Sequence, residues 1–412
     1  MTERARMAGL QALFAWMNLA LTAPSVYLWL GLPLLMRQHG WSGVDIGLFQ
    51  LAGLPAVFKF LLARPMESAR LPLRRYRVWA VALCLALAGS LLLLGWSDLL
   101  GSPISLFALA FAAAWLATWA DIPVNALAIR YLPAGEQLRA GGLRSAALSL
   151  GAIVGGGAML MVQLRWGWHA PFWVLAGLLT FGALALLVLV HTGDEPTSAA
   201  PPASVRASTS LLEDFQNYLA QPGARTWTLL LMLYFPFVGT AWFYLKPLML
   251  DLGFEASRVA QIIGLGGGAI AAVSSIAAAS LARRIGLRRA VPAGAWLGFA
   301  ALSALALVAA FRLPTTAILA AAASVAVAMG YIAALAFGLT MHFARQRSAA
   351  TDYGLQSSLF SLSRLLVPAL GGVLLDQIGH AGLLTTLAVA MLGVCMLCLW
   401  QAKDLPATTV RP

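Results

Sequence analysis

Charge is scarce in this sequence: 10% of its 412 residues are Asp, Glu, Lys or Arg, where a soluble domain carries about a quarter. Acid is scarcer than base, 15 residues against 27, for a formal net charge of +12. Cysteine is rarer still. Cys84, Cys395 and Cys398 all fall in apolar runs, so Cys395-x-x-Cys398 reads as packing on a lipid-embedded helix rather than as a redox pair. His, Cys and carboxylates nowhere cluster at metal-ligand spacing, and no Gly-rich phosphate loop is present. No metal, cofactor, ATP hydrolysis or enzymatic reaction is therefore expected. A basic soluble domain is lacking too, which excludes nucleic acid as the partner of the excess charge. Alternating polar and apolar strands are absent, which excludes an outer-membrane barrel.

What is abundant is apolar surface, at 61% of residues. Runs long enough to cross about 30 Å of hydrocarbon recur along the chain. They lie near 10–36, 44–63, 78–96, 104–128, 142–164, 170–191, 226–250, 257–281, 291–311, 315–342, 353–375 and 381–400. In lipid each backbone must bond to itself, so these are helices. The reading is an all-α membrane protein of twelve transmembrane helices. The first run is too long, and lacks the small-residue cleavage site, for a removable signal peptide.

The chain also repeats itself at a spacing of roughly 214 residues. Leu32-Pro33-Leu34-Leu35-Met36 returns as Lys246-Pro247-Leu248-Met249-Leu250. Leu71-Pro72-Leu73-Arg74-Arg75 returns as Ile285-Gly286-Leu287-Arg288-Arg289. Leu143-x-Ser145 with Ser149-Leu150 returns, slipped by about two residues, as Leu355-x-Ser357 with Ser361-Leu362. A shared offset points to duplicated, pseudo-symmetric six-helix halves. The divisions expected are 1–191 and 226–412, with 192–225 as a cytoplasmic linker. Its Pro- and Ser-rich stretch 196–202 reads as a tether, and Ser210-Leu211-Leu212-Glu213 as a capping box before a short amphipathic helix. That helix is expected on the membrane surface or beneath the bundle.

Basic residues concentrate in alternate loops. Arg64, Arg70, Arg74, Arg75 and Arg77 follow the second span; Arg283, Arg284, Arg288 and Arg289 follow the eighth; the loops between carry isolated cases. Under the positive-inside rule both termini are cytoplasmic.

Six spans, a linker and six spans, with a basic loop after spans two and eight, resemble the major facilitator superfamily over the whole chain. That group carries an acidic, Arg-rich motif after its second helix. Here Glu67 stands for the usual Asp, followed by Arg70, Arg74 and Arg75, and the second copy keeps Arg283, Arg284, Arg288 and Arg289 without an acid. The resemblance implies a cytoplasmic gate at these residues; topology-setting charge is the other reading. Gly47-Leu48-Phe49-Gln50-Leu51-Ala52-Gly53-Leu54-Pro55 and Asp121-Ile122-Pro123-Val124-Asn125-Ala126, then Arg139-Ala140-Gly141, are similar to muropeptide-permease relatives. Those relatives carry a second acid where this chain has Asn125, and they run longer. A compact twelve-span member is more similar to siderophore permeases of the pyochelin and rhizobactin type.

Asp121 and Lys59 each sit about five residues past the midpoint of spans four and two, which run in one direction, so both lie at one depth. An intramembrane charge persists with a use or a partner. The pair is either a proton-coupling switch or a permanent bridge. Neither has a charged counterpart near Ala333, Ala272 or Val273 in the second half. Asn125 shares a helix face with Asp121. Arg144 and Lys246 either snorkel to an interface or serve the cavity, and Arg364, deep in span eleven, can meet a substrate carboxylate. In the family resembled, spans one, four, seven and ten line the cavity. Tyr27, Trp115, Tyr234, Trp242 and Tyr331 are therefore its aromatic candidates, while Trp119 points about 160° from Asp121. Gly151-x-x-x-Gly155 on span five and Gly264-x-x-x-Gly268 on span eight are expected to face one another as a sliding seam. The exporter-type motif would place Pro where Gly156 stands, which favours import.

The function expected is a proton-coupled importer of the bacterial inner membrane, working as a monomer and carrying a siderophore or its ferric complex by alternating access. An anhydromuropeptide permease and a proton-antiport exporter are the alternatives. A non-transporting sensor would want a signalling domain, and none is visible. The partners expected are a small organic substrate, protons and the lipid bilayer, with no nucleic acid.

Overall fold

The computed structural model describes residues 3–41, 43–67, 73–189, 211–311 and 313–401, and almost all of them are helical. In chain order the helices are α1 (Glu3–Val26), α2 (Leu32–Gln38), α3 (Gly43–Gln50), α4 (Lys59–Glu67), α5 (Leu73–Trp96), α6 (Pro103–Tyr131), α7 (Gln137–Ile153), α8 (Met159–Trp166) and α9 (His169–Leu189). They continue as α10 (Leu211–Leu219), α11 (Ala224–Leu233), α12 (Pro236–Asp251), α13 (Ala256–Val259), α14 (Gly268–Ile285), α15 (Leu287–Phe311), α16 (Thr315–Phe343) and α17 (Ala349–Trp400). Wider π turns join α1 to α2 at Tyr27–Gly31, α7 to α8 at Val154–Ala158, and α13 to α14 at Ala260–Gly267.

Among the described residues, ten helical stretches are long and apolar enough to cross a membrane. Two features separate this count from twelve. The second expected span is broken: α3 and α4 flank a 3-10 stretch, Leu51–Phe58, that contains Pro55. Proline supplies no N–H for an α-helical bond. The last stretch is a 52-residue helix with non-helical backbone at Gly379, φ +68°. A side chain there would be strained, so glycine is the residue that lets the chain reverse. His380 then bonds Asp251 at 2.7 Å across the two helix ends.

The chain packs as two compact units. Unit 1 holds Met1–Pro133, Leu150–Gln216 and Ala344–Ser358; unit 2 holds Ala134–Ser149, Asn217–Phe343 and Leu359–Pro412. In unit 1, α5 packs on α6 and α9, and α1 on α9. In unit 2, α16 packs on α12, α14 and α15. Each unit thus takes in one helix start from the other half of the sequence: α17 begins in unit 1 and most of α7 lies in unit 2. These two segments correspond under the sequence repeat.

Glycine decides where helices touch. A Cβ on Gly155 would lie 2.2 Å from the Ala23 carbonyl oxygen, and one on Gly151 would lie 2.9 Å from Thr22. Both glycines therefore seat α7 and its π turn against α1 within unit 1. Gly264 has nothing within 4 Å. Within unit 1, then, the i, i+4 motif on span five marks a close approach to α1. The backbone contact made by α7 in unit 2 lies one turn earlier. A Cβ on Gly141 would meet Gly338 N at 2.3 Å, and one on Gly142 would meet Ala279 Cβ at 2.5 Å.

Of the linker, 192–210 lies outside the described residues. Helix α10 buries Tyr218 completely, and the Gln221 side chain donates to the Phe343 carbonyl at 3.3 Å. Tyr218 of α10 is therefore covered by protein.

Candidate functional site

Polar contacts in unit 1 converge on Asp121. Helix α6 presents Asp121 and Asn125 one turn apart, on one face. Lys59 opens α4, immediately after the 3-10 stretch. Its Nζ donates to Asp121 Oδ2 at 2.6 Å. Tyr353 Oη, from the start of α17, donates to the same oxygen at 2.6 Å. Asn125 Nδ2 donates to Asp121 Oδ1 at 2.9 Å and to the Asp121 carbonyl at 2.8 Å. It also lies 3.5 Å from Asn18 Oδ1 on α1, and the Asn18 amide donates in turn to the Phe14 carbonyl at 2.8 Å.

The arrangement is enclosed but not sealed. Tyr353 and Asn125 are fully buried, whereas the Lys59 and Asp121 side chains keep 14% exposure each. Asn125 Oδ1 is buried with no donor among the described residues. A primary amide offers both a donor end and an acceptor end. Turned one way, Asn125 serves a carboxylate; turned the other, it can accept from a carboxylic acid.

Tyr353 does not bring α17 to this site alone. Phe60 N, among the unpaired donors of the first turn of α4, donates to Ser358 Oγ at 3.0 Å. Gly354 lies so close to α4 that a Cβ there would meet Ala63 Cβ at 2.9 Å and the Lys59 carbonyl at 3.1 Å. Arg345 grips Asp352 through Nε at 2.8 Å, Nη2 at 2.7 Å and its own backbone N at 2.8 Å. Nη2 also lies 3.4 Å from the Asp214 carbonyl of α10. Segment 344–358 is thus held to unit 1 by a carboxylate, a hydroxyl and a glycine contact.

Tyr353, Asn18 and Ser358 were not legible as site residues. Nothing in the sequence pairs Tyr353 with Asp121, 232 positions away; its neighbourhood within the repeated Leu355-x-Ser357 was the only signal.

In unit 2 the start of α7 is bound by Ser145 and Ser275, whose hydroxyls are 2.8 Å apart; Ser275 donates onward to the Gly330 carbonyl at 3.0 Å. Arg144 does not snorkel: it is buried, with its guanidinium 4.5 Å from the Phe337 ring centroid.

The aromatic candidates divide. Tyr27 is fully buried, bonded through its hydroxyl to Gln163 and edge-on to Phe172. Tyr234 is also fully buried and donates to the Val291 carbonyl at 2.8 Å. Tyr331 donates to the Ala290 carbonyl at 3.2 Å. These three hydroxyls are engaged within the protein. Trp115 is 38% exposed beside Phe111, and Trp242 is half-buried against Gly267, which must lack a side chain to admit the indole. Trp119 turns away to Trp79, centroids 5.3 Å apart.

Of the gate candidates, Arg70 lies outside the described residues, as do the side chains of Glu67, Arg74 and Arg75. Arg283, Arg284, Arg288 and Arg289 are exposed around the α14–α15 turn, where Gly286 has φ +79°. Lys246 is exposed, and His342 is half-buried, edge-on to Phe343.

Long apolar helices around a largely buried charge network mark a multi-pass membrane protein. A sequence profile of the Major Facilitator Superfamily matches residues 8–368, and the chain belongs to that superfamily. Over 251 residues it is 27% identical to the anhydromuropeptide permease of Escherichia coli (strain K12), covering 57% of this chain and 50% of that protein. The anhydromuropeptide permease of Escherichia coli O157:H7 matches to the same extent. The chain spans about half the length of the curated relatives it matches. Among solved structures it resembles the transporter FucP in the outward conformation, with a TM-score of 0.68 and 16% identity over 96% of this chain and 98% of that one. The human organic anion transporter MFSD10 gives 0.73 and 14% over 97% and 100%. A bacterial homologue of the iron transporter ferroportin, outward-facing, gives 0.69 and 14% over 96% and 99%. At these identities the likeness shows the fold alone.

Proposed function

We propose that this chain is a proton-coupled importer of the bacterial inner membrane that carries a siderophore-like organic acid by alternating access. The observation that carries the coupling is the shared Oδ2 of Asp121, which takes both Lys59 Nζ and Tyr353 Oη at 2.6 Å. As a carboxylate, Asp121 holds both donors, and with them the start of α17. A proton on Oδ2 removes the acceptor that both use. Asn125 keeps its bond to Oδ1, which remains an acceptor in the acid. Loss of the proton restores the grip. The cycle needs one titrating acid, not two, which accommodates Asn125 where relatives carry a second acid.

Both termini are read as cytoplasmic, and 192–225 as the link between six-helix halves 1–191 and 226–412. The two arms of α17 and the broken stretch 43–67, counted as separate spans, bring the total to twelve. The exposed arginines near Gly286 are read, with Glu67, Arg70, Arg74 and Arg75, as the cytoplasmic gate.

For the substrate, support comes from the exposed Arg364, the half-exposed Trp115 and Trp242, and spans poor in the amides and acids that a sugar–peptide would require. The second reading, an anhydromuropeptide permease, is favoured by the 27% identity to that protein. Right-side-out vesicles with an inward proton gradient separate the two. Concentrative uptake of pyochelin, free or ferric, abolished by a protonophore, is the expected result. Uptake of anhydromuropeptide with pyochelin ignored would install the second reading, and export would overturn the direction.

Tyr353→Phe tests the hold on α17. Loss of a hydrogen bond to a charged group costs about 1.5 kcal/mol or more. Amide exchange across 344–358 is therefore expected to rise about tenfold, with the rest of unit 1 unchanged. Unaltered exchange would show that Tyr353 contributes nothing to the hold.

A further inference from the structure

In unit 2, Arg144 and Arg364 lie well inside helices of membrane length, and aromatic rings run from one to the other. Arg144 Cζ stands 4.5 Å from the Phe337 ring centroid. Phe337 meets Phe360 edge-on at 5.7 Å between centroids, and Phe360 meets Phe235 at 5.3 Å. Arg364 Cζ closes the series, 5.4 Å from the Phe235 centroid and 5.5 Å from that of Phe360. Arg144, Phe235 and Phe360 are buried, Phe337 is half-buried and Arg364 is exposed.

Depth and direction show what Arg364 faces. It lies midway between Ala349, where α17 starts, and the break at Gly379, about 22 Å along the helix from either. That is too far to snorkel, and a charge at such depth turned toward lipid is expensive. The exposed large apolar residues of this arm are Leu365, Leu366, Leu370 and Val373, about 100–240° around the helix from Arg364, and Ile378 beside the break. Leu366, Leu370 and Val373 lie on the far side of the helix, while Ser361 lies about 60° from Arg364. Among the described residues, no carboxylate is within ion-pair distance of Arg364. Lys59 in unit 1 has Asp121 for its counter-charge; Arg364 has two phenyl rings, which orient a guanidinium without neutralising it.

We propose that Arg364, Phe235 and Phe360 form a binding site for an organic anion that carries an aromatic ring, with Arg144 keeping the buried end of the ladder positive. The proposal rests on the reading of the chain as a transporter of a small organic acid, and names where the acid binds. A carboxylate or phenolate takes the planar fork of Arg364 in two parallel hydrogen bonds. The ligand's ring then meets, edge-on, the 7% of each phenyl group that stays exposed beside the guanidinium. The site discriminates through charge. A neutral ligand of the same shape leaves the guanidinium uncompensated.

The test is equilibrium binding to the purified full chain in lipid nanodiscs, with no gradient, using benzoate and salicylate as probes. Saturable binding of both is expected, with benzamide at least about tenfold weaker because it lacks the charge. Arg364→Gln is expected to weaken benzoate by about tenfold or more, and Arg364→Lys by less. Phe360→Leu is expected to lower the preference for benzoate over cyclohexanecarboxylate. Equal affinity for benzoate and benzamide, no saturable binding of either acid, or wild-type affinity in Arg364→Gln would each overturn the site. The benzamide comparison uses the unmodified protein and decides the matter even if the variants do not fold. Because no gradient is used, failure here with proton-driven pyochelin uptake intact would remove the site and leave the transport reading standing. Intact binding without gradient-driven uptake would do the reverse.

Discussion

Vesicles carrying Asp121→Asn are expected to lose concentrative uptake altogether under an imposed pH gradient, while substrate exchange at equilibrium and ligand binding persist. Asn keeps the size of Asp and leaves an oxygen for Lys59 and Tyr353, so the shape survives and only the proton is lost. The change has a stability cost as well. Removing one member of a largely buried ion pair costs about 3 kcal/mol, and the 14% exposure of both side chains moderates it. A second variant separates the two effects. Asp121→Asn with Lys59→Met removes the stranded ammonium, and is expected to recover thermal stability but not accumulation. If the double variant recovers both, the pair is a permanent bridge and proton coupling lies elsewhere. Normal accumulation by Asp121→Asn alone would sink the coupling role outright.

Gly141→Val is expected to be strongly damaging. Its Cβ would lie 2.3 Å from Gly338 N and 2.5 Å from Gly338 Cα. These are backbone atoms that cannot rotate aside, so α7 must move off α16. The displacement would also stretch the Ser145–Ser275 contact of 2.8 Å. Overpacking of this kind costs about 1–3 kcal/mol, and the expected readouts are a lowered melting temperature in detergent and loss of uptake. Gly264→Ala is the control, since nothing lies within 4 Å of that position; it should match the parent in both measurements. A reversal of the two results would show that the i, i+4 glycine motif, not the backbone approach at Gly141, governs packing.

By itself the sequence determined the solvent this protein lives in, because apolar runs of membrane length leave the backbone no choice but helix. It also determined the repeat and the family. It placed Asp121 and Lys59 at one depth on helices running the same way, and the two side chains are in contact at 2.6 Å. Helical periodicity supplies a face and a height along the membrane normal, and those were enough for that pair. What periodicity does not supply is which neighbour a face meets. That is why Gly151 and Gly155 were legible as a close approach while Ala23 and Thr22 of α1, their partners, were not. Tyr353 is the sharper case. It reaches Asp121 because α17 begins in unit 1, a crossing that no local pattern encodes. Arg144 and Arg364 read as isolated charges with separate fates until Phe337, Phe360 and Phe235, drawn from three different helices, were seen to lie between them. Only the tertiary structure decided these contacts, because each depends on how far helices rotate and slide against one another, and side-chain packing between helices sets that rather than the order of residues within any one of them.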